Sequence, residues 1–305
     1  MYNGVINVYK EKGFTSFDVV AKLRGILKQK KIGHTGTLDP DAEGVLVVCL
    51  GKATKLCDIL TDKDKSYVAT LLLGKTTDTE DSSGKVLREQ IVSSSEEEVR
   101  NAILSFIGEY DQIPPMYSAI KVNGQKLYDL AREGIEIERQ PRRVLVHDIQ
   151  IQEIHLPYVQ MKVTCGKGTY IRSLCRDIGD KLGCGGIMDS LLRDSVNASE
   201  TGKVFTKEDA LTLSDIEKLV LSGQITDYIL PIDDMFPNLT KCKVTQEGNK
   251  KLQNGNLLKM KDFDGVKPEK AGGQKCLVYD IEGQFTALYE YKEELHAWKA
   301  DKMFL

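Results

Sequence analysis

The residue in this chain whose type and setting point most directly to chemistry is Asp39. It lies in the loop Gly33-His34-Thr35-Gly36-Thr37-Leu38-Asp39-Pro40-Asp41-Ala42-Glu43-Gly44, which runs straight into Val45-Leu46-Val47-Val48-Cys49-Leu50. Glycines and a proline at this density make a tightly turned connector, and the apolar run behind it has the length and β-branched content of a buried central strand. A residue before proline is biased toward extended backbone. Asp39 is therefore expected at the rim of a buried sheet, where a rigid scaffold presents its side chain. A carboxylate so placed can attack an electron-poor carbon, stabilise positive charge on it, or take up a proton. Asp-Pro is also an ordinary turn starter, so the pair taken alone equally opens a turn. His34 can equally be a loop histidine without a duty.

The elements that must position this loop alternate between helix and strand patterns. Residues 4–10 read as a short strand carrying Val5, Ile6 and Val8. Thr15 with Asp18 forms a capping-box signature and opens a helix whose Phe17, Val20, Leu23 and Leu27 share one stripe. Beyond the loop and its strand come a short helix near 53–60 and a strand over 66–73 that Tyr67 opens. An amphipathic helix over 93–106 follows, with Val99, Ile103, Phe106 and Ile107 on one face. Asn123-Gly124 is a tight-turn signal, and Leu127, Leu130 and Ala131 with Gly134 behind them make a short capped helix. Strands are expected over 143–153 and 158–165. Gly166-Lys167-Gly168-Thr169-Tyr170-Ile171-Arg172 then turns into a helix that ends at Gly183. From Pro231 onward the texture changes to short strands and turns.

Composition bounds the function. The chain has 305 residues, 41% hydrophobic and 29% charged, which describes an ordinary globular protein large enough for one large unit and a small one. No apolar run approaches 18 residues, and Met1-Tyr2-Asn3-Gly4 lacks the features of a signal peptide, so a cytoplasmic protein without a membrane segment is expected. The 7 cysteines are scattered without a C-x-x-C pair and the 4 histidines stand apart, so no disulfide framework and no metal site is indicated. Gly166-Lys167-Gly168 lacks the Walker pattern, and no dinucleotide fingerprint occurs. The expectation is chemistry without a cofactor. A net charge of −3 argues against indiscriminate nucleic-acid binding, yet binding needs only a local basic face. Lys28, Lys30 and Lys31, and Arg139, Arg142 and Arg143, are candidate pieces of one. Each cluster reads equally as solvated surface, and the first also suits the negative end of a helix dipole.

Gly-His-Thr-Gly-Thr-Leu-Asp-Pro followed by Gly-Val-Leu resembles the central motif of the TruB family of tRNA pseudouridine-55 synthases. Further segments resemble that family in its own order. They are Lys63, Lys65 and Tyr67 with the polar turn Thr76-Thr77-Asp78-Thr79-Glu80-Asp81, the stretch from Ile113 to Gly134, and Gly166-Lys167-Gly168-Thr169-Tyr170-Ile171-Arg172-Ser173. The resemblance implies an α+β fold: a pseudouridine-synthase-like mixed β-sheet core with flanking helices and a thumb insertion at about 112–140, which presses the T-loop of tRNA against the active site. A small C-terminal β-rich module resembling a PUA domain would follow, giving a catalytic domain over 1–230 and an RNA-binding module over 231–305. The resemblance also assigns roles. Asp39 would be catalytic, Tyr67 would stack on the target base, and Tyr170 and Arg172 would line the pocket with Arg172 paired to Asp39. Leu191 would supply an apolar wall, and His34 would fill the space left by the flipped uridine. tRNA, through its T-arm, would be the partner, with no obligatory protein partner and a monomeric state.

That chemistry agrees with the residues. Converting uridine to pseudouridine is an isomerisation, so neither an energy donor nor a redox cofactor is required, and one carboxylate can meet the positive charge that grows at C1′. Three departures from the family pattern stand out. Leu192 replaces an arginine, Tyr9-Lys10-Glu11-Lys12-Gly13 replaces a commoner Asp-Lys-Pro-x-Gly, and Asp41 and Glu43 add acids beside the loop, where they should weaken phosphate attraction. Other readings stay open on the residues alone: a relative of the guide-RNA-dependent synthases, a tRNA-binding folding factor, and a glycoside hydrolase, which would need a second carboxylate about 5–10 Å from Asp39.

Overall fold

A computed structural model describes residues 1–61, 64–122, 124–198 and 203–305. Among them a mixed sheet of nine strands forms the body: β1 (Gly4–Lys10), β2 (Ile32–His34), β3 (Glu43–Leu50), β4 (Asp64–Leu73), β5 (Gly108–Gln112), β6 (Arg142–His155), β7 (Tyr158–Cys165), β8 (Gly186–Ala198) and β9 (Lys203–Thr206). The spatial order is β1-β3-β8-β4-β7-β6-β5, with β2 beside β3 and β9 beside β8. Neighbours run antiparallel except β3 and β8, whose parallel pairing sets Leu192 opposite Glu43 and Arg193 opposite Gly44. That pairing brings the end of the Asp39 loop against the middle of β8.

The apolar run behind the loop is the central strand β3, and alternate side chains enter two different cores, as the period of a strand requires. Val45, Val47 and Cys49 join one cluster, and Leu46, Val48 and Leu50 join the other. The second cluster is closed by helix α1 (Ser16–Ile26), which starts at the expected Thr15–Asp18 capping box. Its buried face is Val19, Val20, Leu23 and Leu27. Phe17, expected on that face, is 62% exposed and has the Arg24 guanidinium over its ring at 5.7 Å. In a helix of 3.6 residues per turn Val19 follows it by about 200°, so only one of the two can face the sheet.

Helices α2 (Glu96–Leu104) and α3 (Ile171–Lys181) cover the β4–β7 half of the sheet. Val99 and Ile103 from α2 and Leu174, Cys175 and Ile178 from α3 pack with Ala69, Leu71, Val159, Met161 and Val163. Helix α2 is shorter than its sequence pattern: Ser95 and Glu98 form its capping box, and Ile107, expected on the packed face, is 43% exposed beyond its end. Between β5 and β6 the chain leaves the sheet for an excursion over 113–141. This holds a small hairpin, Lys121–Val122 with Gln125–Lys126, and the helix Leu127–Arg132. Asn123 of the predicted turn, like Lys63 before β4, lies outside the described residues.

The C-terminal part is a five-stranded sheet in the order Phe263–Asp264, Thr240–Val244, Lys275–Tyr279, Phe285–Lys292, Ala297–Met303. Fully buried Trp298, edge-on to Phe263 at 5.1 Å, closes its core. The sequence texture showed strands and turns only. A helix, Gln246–Leu252, is also present, capped by Thr245, and its Gln-Glu-Gly-Asn-Lys-Lys-Leu composition hides any apolar stripe. One core cluster joins the two parts, with Val5, Val45 and Val47 packed beside Phe236, Leu277, Leu288 and Phe304. No helix among the described residues is long and apolar enough to cross a membrane.

Candidate active site

The Asp39 loop is held from below by main-chain hydrogen bonds and by two buried cations. Ser16, the first residue of α1, accepts from the Leu38 N–H at 2.8 Å, and Gly13 N–H donates to Pro40 at 2.9 Å. Lys10, at the end of β1, has no exposed surface and donates its ammonium to the carbonyls of Pro40 and Ala42, at 3.1 and 2.5 Å. Arg193 on β8 is 2% exposed. Its Nε donates to Val45 O at 2.6 Å and its Nη2 to Gly36 O at 3.1 Å. Gly44, at φ +104°, is where loop becomes strand, and a Cβ there would lie 2.3 Å from the Arg193 carbonyl, so glycine is required. Among the described residues no carboxylate stands within 4 Å of either cation. Burial lowers the Lys10 ammonium to about 8, with Asp39 and Asp41 acting in the opposite direction.

Above the loop the pairing is of the other kind. Arg172, in the first turn of α3 and 5% exposed, places Nη2 3.0 Å from Asp39 Oδ2 and Nη1 3.8 Å from Asp81 Oδ2. It also donates to the carbonyls of Thr79 and Tyr117, at 3.1 and 2.9 Å. One guanidinium therefore ties the loop, the Thr76–Asp81 turn and the excursion together. The Asp39 side chain keeps 40% of its surface exposed. Burial holds its carboxyl above the ordinary aspartate range, Arg172 opposes that, and Asp81 adds to it. The expectation that Arg172 favours the ionised form holds in direction, but burial outweighs it.

The remaining predicted residues gather around this pair. Tyr67 on β4 is 8% exposed, stands opposite Arg193 in register, and is hydrogen-bonded to its guanidinium. Tyr170 caps α3, fixed by a reciprocal pair with buried Gln112: Tyr170 N–H donates to Oε1 at 2.8 Å and Nε2 donates to Tyr170 O at 3.0 Å. Burial raises both phenols, and both feel the Asp39 charge. Leu191 packs against the cluster that holds Leu38, Ala42 and Tyr67. His34 stands at the other end of the loop, half-buried, its Nδ1 accepting from Gly36 N–H at 3.4 Å. Burial first and Arg193 second push its imidazole below the ordinary histidine value, toward a neutral ring.

The departures in sequence find local explanations. Tyr9 and Glu43 pair with each other, the phenol raised by burial and by the neighbouring carboxylate. Leu192 lies over Gly44. The carboxylate that acts on Asp39 is Asp81, across Arg172. The sequence named Arg193 only as the arginine retained beside Leu192, and Lys10 and Asp81 only as members of family-like segments, and gave none of the three a role. A lysine closing an apolar strand was the one further signal for Lys10, and residue type by itself does not distinguish Arg193 from a surface arginine.

The mixed sheet thus presents Asp39 on a pinned loop, paired to the buried Arg172, and the comparisons with known proteins place the whole chain in a family. Residues 24–171 match the TruB family pseudouridylate synthase N-terminal domain, and residues 172–236 match the tRNA pseudouridylate synthase B C-terminal domain. A tRNA pseudouridine synthase B of Lachnoclostridium phytofermentans is 54% identical, covering 99% of this chain and 100% of its own. That of Alkaliphilus oremlandii is 45% identical, over 99% of this chain and 97% of its own. Among solved structures, a chain of a Cbf5-Nop10-Gar1 complex superposes with a TM-score of 0.70 at 28% identity, over 99% of this chain and 85% of that one. The chain belongs to the TruB family of pseudouridylate synthases.

Proposed function

We propose that this enzyme isomerises the T-loop uridine at position 55 of tRNA to pseudouridine, with Asp39 as its catalytic carboxylate. The observation that carries the reading is the Asp39–Arg172 pair at 3.0 Å, its carboxylate partly exposed, with Tyr67 and Tyr170 near enough to feel its charge. The base leaves C1′ through N1, turns, and rejoins through C5. Substrate and product contain the same atoms, so the reaction needs no co-reactant and no cofactor. Positive charge grows at C1′ as the glycosidic bond breaks, and the Asp39 carboxylate meets it. Arg172 donates a charge-assisted hydrogen bond that favours the ionised form and fixes the carboxylate's direction. Tyr67 and Tyr170 hold the uracil, and Leu191 keeps water from the reacting face.

A uridine inside a folded T-loop must leave its stack first, at a cost of a few kcal/mol. A neutral His34 ring can occupy the space it vacates without carrying a charge into a stack of bases. We assign residues 1–230 to the catalytic unit, because Leu230 still pairs with Val5 of β1. Residues 231–305 form a PUA-like module that contacts RNA. The enzyme works on tRNA as a monomer, with no protein partner.

The test incubates unmodified tRNA transcript with the wild-type protein and with Asp39→Asn, then maps pseudouridine by a carbodiimide-dependent primer-extension stop. The expected result is a stop at uridine 55 with wild type and a loss of at least about 10³-fold in the variant. Stops with both proteins would remove Asp39 from the chemistry. Tight tRNA binding with no stop from either would favour a binding factor.

A further inference from the structure

The carboxylate next in sequence to Asp81, Glu80, does not touch the reacting pair, yet it is 8% exposed and has the left-handed φ of +64° that side chains rarely adopt. A residue held against that preference needs compensating contacts. Glu80 has them on both oxygens. Oε2 accepts from Ser173 Oγ at 2.8 Å, on the residue after Arg172. Oε1 accepts from Arg176 Nη1 and lies 3.9 Å from Arg139 Nη1. Those two arginines hold the excursion at its base, Arg176 donating to Ile113 O at 2.9 Å and Arg139, from the returning limb, donating to Pro114 O at 3.0 Å. The residues on either side of Glu80 meet Arg172 directly, Thr79 through its carbonyl and Asp81 through its carboxylate. Beside this hub is a cleft of 370 Å³ lined by Met116, Tyr117, Ile135, Arg139 and Arg176, so the excursion is not packed solidly onto the body there.

We propose that Glu80 is a positioning residue: it latches both limbs of the 113–139 excursion to the helix that carries Arg172, so that closing the excursion on bound RNA aligns the Arg172–Asp39 pair. This rests on the pseudouridine-55 reading for its substrate. The coupling is mechanical. Ile113, Pro114 and Tyr117 of the excursion reach Arg176, Arg139 and Arg172, and Glu80 fixes the first two of these guanidinium groups while its chain neighbours fix the third. Loss of the carboxylate leaves the turn in place and loosens the excursion on α3, to which Arg172 and Arg176 still bind it through the Tyr117 and Ile113 carbonyls.

Glu80→Gly separates the latch from the backbone, because glycine accepts the φ that Glu80 strains to hold. Arg139→Gln is a second variant that releases only the returning limb. Each is compared with wild type in single-turnover pseudouridine formation on tRNA, in tRNA binding, and in amide hydrogen exchange of residues 113–139 without RNA. Glu80→Gly is expected to fold cooperatively with a lowered melting temperature, since Arg176 and Ser173 lose a buried partner, to exchange the excursion amides at least about tenfold faster while the amides of the β-sheet stay protected, and to slow the chemical step about 10–100-fold with tRNA affinity changed by less than about threefold. Arg139→Gln should show the same pattern more weakly. Wild-type exchange in Glu80→Gly would overturn the latch. Faster exchange with an unchanged chemical step would overturn the coupling. A wild-type protein without activity would sink the functional reading instead, and the exchange measurement would still decide the latch.

Discussion

The Asp39 loop and the 113–141 excursion are both irregular segments at the pocket, and they are held in opposite ways. The loop's underside is saturated: Thr35, Leu38 and Ala42 are nearly inaccessible, and Lys10 and Arg193 donate to carbonyls across a buried floor. The excursion leaves Ile113 and Ile135 41% and 44% exposed, and polar side chains hold it at its base. The difference teaches what each cation does. Beneath the loop, cations meet neutral carbonyls and fix a shape. Above it, Arg172 meets two carboxylates and sets a charge as well. Under the proposed reading the two match different needs: preorganisation asks for a rigid Asp39, and a tRNA that enters and leaves asks for a covering segment that can open.

The sharpest way to break this contrast is Arg193→Met. It orphans the buried carbonyls of Gly36 and Val45 and the phenol of Tyr67, and should cost about 3 kcal/mol or more of unfolding free energy by denaturant titration. A smaller loss would mean that the loop floor is not what fixes Asp39. Asp39→Asn is the counterpart. The folded protein holds this carboxyl above its unfolded value, so its protonated form favours the fold, and that contribution is lost as pH rises through the raised pKa. The neutral amide should therefore melt no lower than wild type at neutral pH while activity is lost.

Replacing residues 119–134 of the excursion with a short Gly/Ser linker comes next. Activity should fall at least about tenfold, with a melting shift below about 3 °C, and a large melting shift would show that the excursion belongs to the core. The pH profile is a finer probe. Activity should fall on the acid side at a pH above the ordinary aspartate range, as Asp39 takes up a proton. On the alkaline side a limb near pH 8 is expected as Lys10 loses its charge and stops favouring the ionised Asp39. Lys10→Met should lack that alkaline limb. The smallest effect is that of Leu191→Ala, a partly buried side chain packed against the cluster that holds Leu38 and Tyr67. It should cost about 1 kcal/mol of stability and slow turnover a few-fold by admitting water.

Much of this was legible in the residues because local rules governed it. The Thr15–Asp18 and Ser95–Glu98 caps, the apolar run of β3 and the break into the excursion all follow from short-range patterns. Phe17 and Ile107 were misplaced because periodicity gives the width of an apolar face and leaves its rotation open; packing against the sheet chose Val19 over Phe17. The helix at Gln246–Leu252 carried no stripe to read. Tyr9 and Glu43 looked like two unrelated departures until the fold paired them.

By itself the sequence determined most of the elements of the large sheet, their order and the family motif around Asp39, since each is written in residues adjacent along the chain. The family resemblance named Arg172 as the partner of Asp39, but only the tertiary structure placed Arg193 beneath the loop as its support. Arg172 and Arg193 are both buried and look alike as letters. The parallel pairing of β3 with β8 carries Arg193 under the loop, while the start of α3 carries Arg172 over it. The physical reason is that a buried guanidinium takes its role from the acceptors that surround it, and here those acceptors come from segments distant along the chain.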